Sequence, residues 1–198
     1  MAYLSGGEGG LGAEPGIIAA LEVMTSDYLA WIDDVENQVE GFEHALRKAA
    51  ISNLVNCRAC HSRMLEGISI LRSTPDAMLA FRLMNRAMLV QQFHSSLPFR
   101  KLDSEMPLPP EGYHDLPHGR GNWRPFQLAF ILMNIAGMSL PDHDDRHLVD
   151  LIWFPTGGGK TEAYLRCRPM RSGRVSVGRL FGSAVDIAAC PNLTDIRR

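Results

Sequence analysis

Asp150-Leu151-Ile152-Trp153-Phe154-Pro155-Thr156-Gly157-Gly158-Gly159-Lys160-Thr161 decides how this chain is read. An apolar run of strand length meets three glycines and a Lys-Thr pair. Glu162-Ala163-Tyr164-Leu165 then opens a helical pattern. Strand, glycine-rich loop and helix in that order form the context of a phosphate-binding loop. Glycines let backbone N–H groups curl around phosphate oxygens without Cβ interference. The helix that follows presents its N-terminus to the anion. The spacing lets Lys160 reach the β- and γ-phosphates and lets the Thr161 hydroxyl hold Mg²⁺. The general pattern G-x-x-x-x-G-K-[ST] fails at its first position, where Phe154 stands. The plainer alternative is a glycine-rich turn that closes a strand.

Working outward, the 198 residues suffice for one ordinary domain or one and a half. Hydrophobic residues make up 45%, enough for a core, which argues against wholesale disorder. The net charge of −2 is unevenly spread. Residues 1–165 hold 13 Lys+Arg against 20 Asp+Glu, a balance of −7; residues 166–198 hold seven Arg, no Lys and two Asp, a balance of +5. No basic flank precedes an apolar stretch at the N-terminus, so no signal peptide is expected. The most apolar run, Phe126 to Met138, contains Gln127 and Asn134 and is too short and polar to span a bilayer. Four cysteines fit a reduced compartment better than a disulfide framework, and a cytoplasmic location without membrane contact is expected.

Residues 1–16 read as a flexible lead-in, rich in glycine. Residues 17–96 read as helical. Leu21, Met24, Tyr28, Trp31, Ile32 and Val35 recur at three- and four-residue steps from Ile17 toward Ile51. The pattern predicts a second helix over 40–50 and a third over 53–71. Thr74-Pro75-Asp76 starts a fourth, which fades near Ser95. Residues 97–122 form an irregular connector rich in Pro, Gly and His. A buried helix opens at Arg124-Pro125-Phe126-Gln127, Pro141 to Asp145 is a loop, and His147 to Phe154 is a strand.

Three other features compete for chemistry. Cys57-Arg58-Ala59-Cys60-His61 matches the haem-attachment spacing, but it sits inside a helical pattern with no export signal. Ordinary helical cysteines, half of a metal site and a haem site all stay open, in that order. A zinc site needs four ligands, and no second Cys-x-x-Cys is present. His143 and His147, with Asp142, Asp144, Asp145 and Asp150, could gather a divalent metal; a solvated acidic loop is the simpler reading. Trp31, Trp123 and Trp153 are too scattered to form a stacking platform for single strands.

Pro155-Thr156-Gly157-Gly158-Gly159-Lys160-Thr161 resembles motif I of superfamily-two helicases, Pro-Thr-Gly-x-Gly-Lys-Thr. Arg124-Pro125-Phe126-Gln127 resembles the upstream Arg-x-Tyr/Phe-Gln element of the same proteins. Together with Ala80 to Met88 and Val149 to Leu165, these residues look like the helicase subunit of the DISARM phage-defence system and related large bacterial helicase-like proteins. The likeness covers about residues 40–165. It implies a nucleic-acid-dependent ATPase built on RecA-like domains, acting on DNA in preference to RNA, alongside other defence subunits. It also implies ATP and Mg²⁺ as cofactors. Pro155, Thr156, Gly157, Gly158, Gly159, Lys160 and Thr161 would grip the nucleotide, with Lys160 and Thr161 at the chemistry and Thr161 on the metal. Gln127 would read the adenine edge, since an amide donates and accepts at once, and Phe126 would pack beneath it.

The chain departs from that plan in two ways. It shows no Asp-Glu pair on a later strand and no second motor domain to supply arginine fingers. The family pattern stops at Leu165, where the charge changes sign, and residues 166–198 read as sequence foreign to the family, as after a frameshift. The expected fold is therefore an α-helical N-terminal region followed by the start of an incomplete P-loop (RecA-like) α/β domain, residues 123–165. The expected function is an ATP-binding fragment of a helicase, inactive alone. The rivals are a small P-loop NTPase or kinase, and a non-catalytic helical interaction module with a vestigial loop.

Overall fold

The computed structural model describes Leu4, residues 14–96 and residues 121–149. Among these, every regular element is helical. Helix α1 runs Glu14–Gln38 and begins three residues before the predicted Ile17. Pro15 suits a first helical turn, where its missing N–H costs nothing, so residues 14–16 belong to the helix and not to the lead-in. Its apolar stripe buries Ile17, Ile18, Leu21 and Ile32. Thr25 lies on the same stripe and is satisfied locally, its hydroxyl directed at the carbonyls of Leu21 and Glu22.

α1 stops at Gln38 and does not continue toward Ile51. A 3₁₀ turn, Val39–Gly41, follows, and Phe42 is extended. The Arg47 guanidinium donates to the carbonyl of Glu40 and to that of Val39, which also accepts from the Phe42 N–H. The two helices expected over 40–50 and 53–71 are a single one, α2, His44–Ser73. Ser52 and Asn53, at the expected junction, have side chains that can compete for backbone groups. Here both face solvent, and no Pro or Gly interrupts the run between Ile51 and Leu54. Helix α3, Pro75–Ser96, starts with Pro75 and Asp76 in its first turn, as the sequence predicts.

Helix α4, Pro125–Ser139, also follows its start signal. It carries no charged residue and is apolar nearly all round, which marks a helix enclosed by others. It lies across α2, at Gly67. A Cβ placed on Gly67 would stand 2.2 Å from the Leu132 carbonyl oxygen, so only glycine allows this approach. Met64, Ile68 and Leu71 of α2, Phe81 of α3 and Ile131, Leu132 and Ile135 of α4 are almost wholly buried in one core. A second, smaller core joins the C-terminal half of α1 to the N-terminal half of α2 through Ile32, Val39 and Leu54.

The strand expected over 147–154 is not seen where it can be checked. His147 closes a 3₁₀ turn, Asp144–His147, and Leu148 and Val149 carry no regular structure. Hydrogen bonds from Arg146 N–H to the His143 carbonyl and from Leu148 N–H to the Asp145 carbonyl wind this segment into a turn. Residues 150–154, the connector over 97–120 and the 166–198 tail lie outside the described residues.

Candidate functional site

Of the residues singled out for nucleotide binding, Gln127 and its neighbour Phe126 are described. Pro155, Thr156, Gly157, Gly158, Gly159, Lys160 and Thr161 lie outside the described residues, so no P-loop α/β element is seen among those that are. The neighbourhood of Gln127 can be built residue by residue.

Gln127 sits at the third position of α4 and is 6% exposed. Its side-chain oxygen accepts from the Arg124 backbone N–H at 2.9 Å. That is half of a capping box: the amide satisfies a donor just before the first turn. The other half cannot form, because a guanidinium has no acceptor to offer the helix. The sequence points to Gln127 for its chemistry; the structure also gives it the work of starting the helix.

The approach to Gln127 is stapled to α3. The indole N–H of Trp123 donates to Asn85 Oδ1 at 2.6 Å, and Asn85 Nδ2 donates to the Phe81 carbonyl at 2.8 Å. Asn85 is fully buried, so these bonds offset the cost of placing an amide in the core. Trp123 also packs on Met88 and Leu89. One step earlier, Gly121 adopts φ 78°, a left-handed conformation that glycine takes without strain, and its N–H donates to Gln92 Oε1 at 2.6 Å. Gly121 and Trp123 are thereby fixed by side chains of α3, just ahead of the helix start.

The far end of α4 is fixed with equal care. Arg63 of α2 bonds Asp145 through Nε at 2.7 Å and the Met133 carbonyl through Nη2 at 3.3 Å. The side chains of this pair are only 20% and 17% exposed. His143 Nδ1 accepts from the Asp145 N–H at 3.1 Å, and Nε2 lies 3.1 Å from Glu66 Oε1. An accepting Nδ1 places the proton on Nε2, which then donates to Glu66. Arg146 returns to the Gly137 carbonyl at 3.0 Å. The acidic loop is thus not simply solvated, since His143 and Asp145 turn inward to α2. Arg63, Gly67 and Asn85 escaped the sequence reading. Gly67 alone left a signal, as a glycine inside the helical pattern over 53–71.

The metal readings gain no support. No group of three or more His, Cys, Asp or Glu side chains able to hold a metal occurs among the described residues. Cys57 and Cys60 lie along α2, half-buried and outside any disulfide. Cys57 meets the hydroxyl of Tyr28, and burial first, then this hydrogen bond, pushes the tyrosine above its ordinary range. Among the described residues no helix is long and apolar enough to cross a membrane.

No protein-family profile matches the chain. Over 146 residues it is 35% identical to the DISARM protein DrmA of Bacillus paralicheniformis (strain ATCC 9945a / NCIMB 11709 / CD-2). That similarity takes in 68% of this chain and 12% of the relative, so the chain corresponds to a small part of that protein's length.

Proposed function

We propose that this chain is the nucleotide-gripping portion of a DISARM-type, helicase-like ATPase, and so a component of a phage-defence system. The observation that carries the reading is the similarity to DrmA over 68% of the chain, together with the glycine-Lys-Thr loop at residues 155–161. In this reading Gly157, Gly158 and Gly159 cradle the phosphates, Lys160 neutralises the β- and γ-phosphates, and Thr161 holds Mg²⁺. Gln127 meets the adenine edge, and its capping bond to Arg124 sets the amide before the base arrives. Hydrolysis would call in addition on an Asp-Glu pair and arginine fingers, so ATP binding is the step assigned to these residues. Nucleic acid, DNA in preference to RNA, and further defence subunits are the partners of the whole protein.

Calorimetry with MgATP tests the reading. We expect magnesium-dependent binding that Lys160→Ala abolishes. Gln127→Glu keeps an oxygen for the Arg124 N–H, yet should weaken ATP while sparing inorganic triphosphate. Phosphoryl transfer to a small acceptor would point to the kinase. Absence of any binding would leave the helical interaction module.

A further inference from the structure

The inward face of α3 carries an amide with no exposure at all. Asn85 is 0% exposed, among methionines and phenylalanine that are buried with it. A leucine would fill the same place without the cost of taking an amide out of water. The bonds of Asn85 show what the amide does instead. Nδ2 donates to the Phe81 carbonyl, one turn back in the same helix, at 2.8 Å. Oδ1 is left to face Trp123, and accepts from its indole N–H at 2.6 Å. Trp123 is thus held at its ring nitrogen, while its apolar part rests on Met88 and Leu89.

Trp123 leads straight to the donor that engages Gln127. The Cα of Trp123 and the N–H of Arg124 belong to one planar peptide unit. Arg124 precedes proline, which keeps it out of the helical region, and it is extended at φ −77° and ψ 143°. Its N–H, so aimed, donates to Gln127 Oε1 at 2.9 Å. Two hydrogen bonds, one indole and one rigid peptide therefore connect the amide of Asn85 to that of Gln127.

We propose that Asn85, on α3, is a positioning residue for the adenine-reading amide of Gln127. The inference rests on the assignment of Gln127 to the adenine edge. Recognition of that edge needs a donor and an acceptor at fixed directions. With Asn85 in place, the Arg124 N–H is oriented before the base arrives. Without it Trp123 can turn, the peptide turns with it, and the base must order the amide on binding. The phosphate grip does not pass through this chain of bonds, so the loss falls on the base alone.

The test is calorimetry on the full chain with MgATP, MgGTP and inorganic triphosphate. Asn85→Leu should weaken MgATP about tenfold, near the upper worth of one hydrogen bond. It should bring MgATP close to MgGTP and leave triphosphate unchanged. Asn85→Leu also strands the indole N–H, so the decisive variant combines it with Trp123→Phe. Removing both partners restores melting but not the tether. The double variant should therefore keep the tenfold loss of MgATP. The ratio of MgATP to triphosphate is taken within one variant, so any unfolded fraction lowers both alike. Recovery of MgATP affinity along with melting makes Asn85 merely structural and overturns the proposal. An equal loss for triphosphate overturns it too. If Gln127→Glu weakens MgATP and the double variant does not, the positioning role fails and the adenine reading stands. If Gln127→Glu changes nothing, or the unaltered chain binds no nucleotide, the adenine reading fails and this inference falls with it.

Discussion

Body and arm share a helix but not a fate. In the body, α2 is enclosed by α1, α3 and α4, and its buried residues fall to 2% exposure. In the arm, among the described residues, the same helix has α1 alone, and Leu46, Ile51 and Val55 stay at least half-exposed. The amphipathic pattern is continuous along α2; the number of neighbours is not. Burial therefore reports coverage as much as sequence, and a helix can carry a core stripe where no core exists.

The largest test of this contrast is truncation of each core. Phe81→Ala in the body should cost about 3–5 kcal/mol, measured by urea unfolding, because the cavity is closed on all sides. Ile32→Ala in the arm should cost about 2 kcal/mol, at the lower end for such changes, since the thinner layer can collapse. Hydrogen exchange should then quicken around Leu54 and not around Ile131. Equal losses and uniform exchange would mean that the two regions are one cooperative unit.

Glycine replacements sharpen the difference. Gly67→Ala forces a methyl against the Leu132 backbone and should cost about 2–3 kcal/mol. At Gly41, in the tip of the arm, a Cβ meets nothing within 4 Å, and the φ is not left-handed. Gly41→Ala should be neutral or stabilise by about 0.5 kcal/mol through the unfolded chain. Thermal melts of the two variants should therefore move in opposite directions or differ plainly in size.

The smallest effect is one of pH. The Tyr28 hydroxyl is raised in the fold by burial and by Cys57, so the fold favours the neutral phenol. Its contribution is whole below the unfolded value of about pH 10 and is lost as pH climbs from there toward the folded value. Tyr28→Phe should flatten the fall in melting temperature above about pH 10, and an unchanged slope would remove Tyr28 from the account.

Much of the helical region was legible. Pro75 and Asp76 announced α3, and Pro125 announced α4, because proline at a helix start is a local signal. The ends were harder. α1 stops where Arg47, eight residues beyond Val39, caps its turn, and α2 runs through Ser52 and Asn53 because their side chains have solvent to face. Neither fact is written in a short window. The loop at 155–161 lies outside the described residues; Gln127 was singled out as part of a motif, but the stapling of Trp123 to Asn85 just ahead of it depends on contacts 38 residues apart. Pairings of that range leave no periodic trace. The strand expected from His147 does not begin there: His147 closes the 3₁₀ turn begun at Asp144, in which Asp145 is drawn inward to Arg63.

One mechanical property follows from the thirty unbroken residues of α2. At 1.5 Å per residue the helix is a rod of about 45 Å. Ala49 and Gly67 lie along it five turns apart, roughly 27 Å, with no proline between them to act as a joint. Whatever tilts the outer end must therefore swing the Gly67 crossing with it, and α4, pinned there by backbone contact, has no slack to absorb the motion.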